Sequence, residues 1–541
     1  MYYSLLFKTG RGSMQPIKII DLFAGPGGLG EGFSSFRKDH AYPFKIAVSV
    51  EKDKFAHSTL RLRAYWRLLK RNGIPLESLY AYYRGLKDDP WTPETKALWD
   101  EAGTEALHLV LGRKEDNSFL YEQIEQQISG GKHWVLIGGP PCQAYSVVGR
   151  VRSGISNETD PRHYLYQEYL NVIRQFRPSI FVMENVRGLL SCQLNQKHII
   201  HRILEDLASP GQSERGARDY KYTIHSLVAD ACYEPGMDAS SLNLANFVVQ
   251  CEKYGIPQAR HRVILVGVRE DLAGSLPRLQ ASVPLTVWDA LEDMPALRSG
   301  LSRQEDSTEV WKQIVTCAFD DLARHSRDMG RHKLAKFMWS ARKQVLRDML
   351  SRGARWLSGK YGPIPGRAEK LHKWLRDDAL DGWLNHETRA HMASDLRRYA
   401  YVASYASVEQ KNPLGPNGFD LPGLAPNHAN WESGFFDDRF KTQLAHRSST
   451  TITSHLSKDG HSFIHPDPTQ CRSLTVREAA RLQTFPDNYF FEGPRTAQYV
   501  QVGNAVPPLL AVQIAECVLA VIDGVNAKRA RSILPVQGKL L

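Results

Sequence analysis

Ile17-Lys18-Ile19-Ile20-Asp21-Leu22-Phe23 is a short apolar run that ends in a glycine cluster, the pattern of a buried strand. A second such run, Phe44 to Val50, stops at Glu51. The stretch from Phe55 to Gly131 is helical, polar and aromatic in character. A third strand, His133 to Ile137, then runs into Gly138-Gly139-Pro140-Pro141-Cys142. Pro178 to Met183 predicts a fourth strand, ending at Glu184, and Asn246–Val249 and Val263–Val268 predict two more. Apolar runs alternating with helical stretches predict an α/β domain built on a mainly parallel sheet. Ligands in such sheets bind beyond the carboxyl ends of the strands. Glu51, Pro141–Cys142 and Glu184 all fall there.

From about Ser299 to Ala445 the strand pattern gives way to sequence rich in Arg, Lys, Trp and His. Between Arg331 and Lys373 there are twelve Lys or Arg against two acids, Asp348 and Glu369, with Trp339, Trp356 and Tyr361 among them. Taken alone, such a run also fits a solvated helical surface. The Pro-, Gly- and Asn-rich stretch from Lys411 to Asn430 reads as a loop. Compact α/β sequence returns by Ser473, with a helical run over Thr475–Phe485 and an amphipathic helix after Pro508. The predicted division is an N-terminal tail (1–16), a first catalytic part (17–298), a second, smaller domain (299–445), a return to the catalytic domain (446–524) and a C-terminal tail (525–541).

Composition narrows the class. The 541 residues include 69 Lys and Arg against 58 Asp and Glu, a formal net charge of +11 that suits a polyanionic partner. Seven cysteines without a CxxC pair argue against a disulfide framework and against a metal site, and fit a reducing cytoplasm. The first residues lack the apolar stretch of a secretory signal, and Met14 is an alternative start. The apolar run Pro507–Ile522 is too short for a bilayer and carries Gln513 and Glu516, so no membrane is expected.

Two motifs carry chemistry. Gly25, Gly27 and Gly30 form GxGxxG after a strand, and Glu51 follows at the distance of about twenty residues where a ribose-binding carboxylate belongs. On its own this fits NAD, FAD or another nucleoside cofactor, or merely a tight strand-to-helix turn. Cys142 follows two prolines at a strand end. It reads either as a small buried hydrophobe or as a nucleophile on a rigid mount.

Taken together, these blocks resemble the DNA (cytosine-5) methyltransferase family. Phe23-Ala24-Gly25 resembles its methionine-binding loop, Pro140-Pro141-Cys142-Gln143 its nucleophile block and Glu184-Asn185-Val186 its ENV block. Gln258-Ala259-Arg260-His261-Arg262 resembles QxRxR, Arg472–Asp487 resembles RxLTxREAARLQxFPD, and Gln501–Val506 the closing GNxV block. The blocks follow in family order across about Lys18 to Ala515, apart from the basic middle.

The resemblance implies a Rossmann-like sheet of the S-adenosylmethionine-dependent methyltransferase type with a smaller DNA-recognition domain over 299–445. It implies Cys142 as the nucleophile at cytosine C6, and Glu184 as the partner of N3 and the exocyclic amine. Arg262 would contact O2, and Arg260 would support the catalytic loop or a phosphate. Phe23, Ala24, Gly25, Gly27, Gly28, Glu51, Pro140, Asn504 and Val506 would hold S-adenosylmethionine. A base inside a duplex must be flipped out for such chemistry, and the Gly149–Gly154 run after Cys142 is placed to close over it. Two departures stand out. Tyr145 occupies a usual Phe position, and the acidic residue that reads the adenine amine has no clear counterpart, with Asp116 the nearest guess. The expected partner is double-stranded DNA, the protein a bacterial cytoplasmic monomer, with a companion restriction endonuclease or another phage-defence system. The alternative is an RNA cytosine-5 methyltransferase, in which the recognition region is usually reduced.

Overall fold

The structure, a computed structural model, describes residues 15–141, 165–194, 197–211, 219–272, 275–364, 366–426 and 439–533. Nine strands form one sheet: β1 (Ile17–Leu22), β2 (Phe44–Glu51), β3 (Ala106–His108), β4 (Trp134–Gly138), β5 (Ile180–Val186), β6 (Tyr222–His225), β7 (Cys232–Tyr233), β8 (Val248–Gln250) and β9 (His261–Arg269). Their spatial order is β3-β2-β1-β4-β5-β9-β6-β7, with β8 also on β9. The strands from β3 to β5 run parallel, so their carboxyl ends open on one edge; β9 reverses and pairs antiparallel with β5. The order steps outward from β1 in both directions. Such a reversal leaves a crevice above β1 and β4.

Alternating side chains give each sheet face its own core. Along β5, Ile180 and Val182 pack on one side with α1 (Gly28–Ser35), while Phe181 and Met183 pack on the other. The second face is covered by Tyr169, Leu170 and Ile173 of the helix Leu165–Phe176 and by Ile200, Ile203 and Leu207 of Ile199–Ala208. The segment Arg495–Asn526 is long and apolar enough to cross a bilayer, beyond the run expected to be too short, and most of it belongs to the C-terminal helix Pro508–Ile533. Its apolar positions, among them Leu510, Ile514, Val518 and Ile522, are instead buried against α1 and the sheet.

Helices α2 (Lys54–Arg71), α3 (Glu77–Tyr83), α4 (Lys96–Glu105) and α5 (Lys114–Ile128) fill the polar, aromatic stretch after β2. Asp53 starts α2, its carboxylate accepting from the Phe55 and Ala56 N–H groups. Arg63 of α2 forms a fully buried pair with Glu31 of α1, Nη2 to Oε1 at 2.6 Å. This insert also contains edge strand β3, too short to show a period in the sequence.

The basic middle folds around a helical core: Trp311, Phe319 and Leu322 of α6 (Thr308–Asp328) meet Leu334, Met338 and Val345 of α7 (His332–Arg347) and Leu396 and Tyr399 of α8 (Ala393–Glu409). The strand pattern does not vanish there as expected. β10 (Gly353–Ser358) and β11 (Gly382–Glu387) make an antiparallel pair, joined by residues 359–381, which include a helix over Glu369–Leu375. Each is six residues long and set among cations, so neither gives a clean alternation. Leu384 of β11 and Leu380 pack with Tyr65, Leu79 and Tyr83 of the insert and with Phe490. Residues about three hundred positions apart or more thereby form one apolar cluster tying this region to the insert that follows β2.

Candidate active site

At the end of β1 the chain turns sharply. Phe23 has φ +56°, Ala24 N–H donates to Val50 O at 3.0 Å, and Gly25 N–H donates to Glu51 Oε2 at 2.9 Å. The other oxygen of Glu51 accepts from the Lys52 and Asp53 N–H groups at 2.9 and 2.8 Å. Burial raises the Glu51 carboxyl above its ordinary value despite these bonds. Two glycines have definite reasons. Gly27 precedes α1 at φ +92°, left-handed backbone that disfavours a side chain. A Cβ on Gly28 would lie 2.1 Å from Val506 O, so the closing segment seats directly on the glycine loop.

The β4 strand delivers Gly139, Pro140 and Pro141 to the same edge. Asn185 Nδ2 donates to Pro140 O at 3.1 Å, fixing the turn that leads into Cys142. Glu184 stands next to it on β5. A Cβ on Gly139 would come within 3.0 Å of Glu184 Oε2, so the glycine keeps that space open. Glu184 pairs with Arg262, Nε to Oε1 at 2.8 Å, and not with neighbouring Arg187. Arg262 lies on β9 between β5 and β8, opposite Val186 on one side and Val249 on the other. Cys142 itself, Gln143, Tyr145 and the Gly149–Gly154 loop lie outside the described residues.

Between these elements lies a cavity of about 500 Å³. Phe23, Ala24, Gly25, Gly28, Glu51, Pro140, Asn504, Val506 and Glu184 line it, as the sequence grouped them. Four expected residues among those described do not line it, and one of them, Arg262, meets it only through its pair with Glu184. Gly27 shapes the turn without lining the cavity; its missing Cβ would strike Leu60 Cδ2 at 2.7 Å. Asp116 is turned away, its Oδ2 accepting from Val110 N at 2.9 Å, so it steadies a lining segment without reaching the cavity. Arg260, grouped with the catalytic residues in the sequence, is fully buried: it donates to Ile452 O and Gly503 O, and burial pushes its pKa down to about 9. With 1% of its surface exposed it has no route to a phosphate.

The structure adds Asp21, Leu109, Val110, Leu111, Asn185 and Gln501 to the lining. Asp21 is the one with a legible signal, a carboxylate inside an otherwise apolar strand. It is buried, neither oxygen makes a well-formed hydrogen bond among the described residues although the Gly30 backbone lies beside it, and burial followed by the nearby Glu51 charge raises its pKa well above the ordinary range. Such a carboxylate is costly unless a cationic or hydrogen-bonding group completes it. A nucleoside cofactor bearing an ammonium fits this donor set: a carboxylate at the ribose position, an unsatisfied acid deeper in, and apolar walls at Leu109–Leu111 for a base. The leucines and valine there gave no motif, because they act through shape.

Comparison with known proteins agrees with this geometry. The family described as C-5 cytosine-specific DNA methylase matches residues 113–520. The chain is 33% identical to Type II methyltransferase M.Bpa9945I of Bacillus paralicheniformis, covering 94% of this chain and 99% of that one. It is 25% identical to Type II methyltransferase M.AgeI of Thalassovita gelatinovora, covering 94% and 100%. Among solved structures, an E. coli prophage-encoded protein described as a candidate DNA modification methyltransferase shares the fold with a TM-score of 0.51, at 19% identity over 94% of this chain and 99% of that one.

Proposed function

This chain belongs to the C-5 cytosine-specific DNA methylase family, and from that premise we propose that it methylates a flipped-out cytosine within a specific double-stranded DNA sequence through a covalent bond from Cys142 Sγ to C6. Membership makes it an S-adenosylmethionine-dependent enzyme acting on cytosine C5 in DNA. The observation that carries the finer reading is that Glu184, paired with Arg262, and the Asn185-anchored Pro140–Pro141 segment meet at one cavity.

Cytosine C5 is a weak nucleophile until the ring's C5=C6 bond is polarised. Cys142 gives up its thiol proton and Sγ adds to C6, while Glu184 delivers a proton to N3 so that the electron pair displaced from the ring has a destination. Arg262, held between two strands, donates to the base O2 and keeps Glu184 oriented. S-adenosylmethionine, when bound, would supply an electrophilic methyl group to C5, its carbon–sulfur bond breaking with the electron pair left on sulfur. A base then removes the C5 proton, the Sγ–C6 bond breaks, the C5=C6 bond is restored and N3 returns its proton to Glu184. On the cofactor side Glu51 would bind the ribose hydroxyls, Asp21 would face the amino-acid portion, and Phe23, Asn504 and Val506 would close the walls. Residues 299–445 form the recognition domain; its size favours duplex DNA over the RNA alternative. The two Type II relatives favour a place in restriction–modification, with a companion endonuclease.

Bisulfite sequencing of plasmid DNA from cells producing the protein, beside a Cys142→Ser control, tests this. Protected cytosines at one recurring sequence in the wild type and none in the control are expected. Equal conversion in both overturns the reading.

A further inference from the structure

The twelve cations between Arg331 and Lys373 are not equivalent once folded. Six are satisfied within the protein. Arg331 pairs with Asp420, Arg342 with Asp320, Arg352 with Asp306, Arg367 with Asp289 and Lys373 with Glu369, and Arg355 donates to Tyr83 O. The other six make no hydrogen bond or ion pair with the described residues, and four of them, Lys333, Lys336, Lys343 and Arg347, lie on α7. All four are exposed, as is Ser340 between them.

Positions 333, 336, 340, 343 and 347 advance by three and four residues, so they form one straight stripe along the helix. At 1.5 Å per residue the stripe is about 21 Å long, or about six base-pair steps of duplex. The opposite face, Leu334, Met338, Ala341 and Val345, is locked into the helical core, which holds the stripe rigid. The sixteen residues of α7 contain no acid. A solvated face normally mixes signs, as α6 does with its Asp321–Arg324 pair. Like charges lined up without counter-charges weaken an isolated helix, and the arrangement complements a row of phosphates.

We propose that α7 lies along the phosphate backbone of the DNA duplex, with Lys333, Lys336, Lys343 and Arg347 as its phosphate contacts and the helix serving to set the register of the recognition domain on its site. This rests on the DNA-methylating reading above but fails separately from it. The test is binding of the full chain to a fluorescently labelled DNA duplex across a sodium chloride series. Each lost phosphate contact lowers the slope of log K against log salt by about 0.9, so the Lys333→Gln/Lys336→Gln/Lys343→Gln/Arg347→Gln variant is expected to lose about 3 to 4 from that slope. A charge-conserving variant, with each Lys changed to Arg and Arg347→Lys, is expected to keep it. S-adenosylmethionine binding by calorimetry should match wild type in both, which shows that they are folded. A neutral variant with the wild-type slope overturns the assignment, as does a slope change seen on folded RNA but absent on duplex DNA. If wild-type protein still forms an adduct with 5-fluorocytosine duplex while the slopes coincide, only the role of α7 falls. If wild-type protein neither binds nor reacts with duplex, both readings fall.

Discussion

Arg262 Nε sits 2.8 Å from Glu184 Oε1 across the antiparallel pairing of β9 with β5. The two residues are 78 positions apart in sequence, and the sheet register alone brings them together: Arg262 faces Val186, two residues beyond Glu184. One guanidinium therefore holds the carboxylate through Nε while its Nη1 donates to His261 O at 2.8 Å. Glu184→Gln and Arg262→Ala are each expected to lower kcat by about 100-fold or more, the scale of a positioned proton donor, with S-adenosylmethionine affinity unchanged. Single-turnover methylation with calorimetry in parallel measures both. A Glu184→Gln enzyme of normal rate would remove this carboxylate from the chemistry.

Glu51 is the residue on which cofactor affinity should depend. One of its oxygens holds the glycine loop through Gly25 N–H and the other caps the start of the next turn. Glu51→Ala removes the ribose acceptor and loosens that loop. Cofactor affinity is expected to fall about 10- to 100-fold, or about 1.4 to 2.7 kcal/mol, while duplex binding without cofactor stays at the wild-type level.

Arg260 separates a positioning role from a contact with DNA. Its guanidinium joins Ile452 O, in the segment after the recognition region, to Gly503 O in the closing block. Arg260→Met leaves both carbonyls buried without that donor, at a cost of about 2 to 3 kcal/mol. A lower unfolding temperature with an unaltered salt slope of DNA binding is expected. A phosphate contact would give the reverse pattern.

Acid should destabilise the protein through its buried histidines. His386, bonded to Thr475 Oγ1 and Pro295 O, is pushed down to about 4 by burial. Its folded value lies below the unfolded one of about 6.5, so its contribution is fully present above pH 6.5 and is lost as pH falls toward 4. The loss for this one residue is about 3 kcal/mol across that window. Unfolding temperatures recorded from pH 7.5 to 4.5 should fall most steeply below 6.5, and His386→Gln should give a shallower curve. Parallel curves would assign the acid lability to other groups.

The sequence by itself determined the strands that carry the site, the glycine loop and the order of the family blocks. Those features are local: a strand's composition, a turn that only glycine tolerates at Gly27, a carboxylate at the end of β2. It also listed nine of the lining residues: most lie at or just past a strand's end, as Glu184 does, while Asn504 and Val506 stood in the closing block. Only the tertiary structure decided which charges are free. Arg260 and Arg262 are two residues apart in one motif, yet one faces the protein interior and holds two carbonyls while the other pairs with Glu184. Twelve cations in the middle region look alike in a row of letters, and the fold satisfies half of them, five with acids or carbonyls from elsewhere and Lys373 with Glu369 one turn away. A side chain's chemistry is written in its type, but its partner comes from a distant segment. Burial and pairing, which fix what a charge can do, exist only once those segments have met.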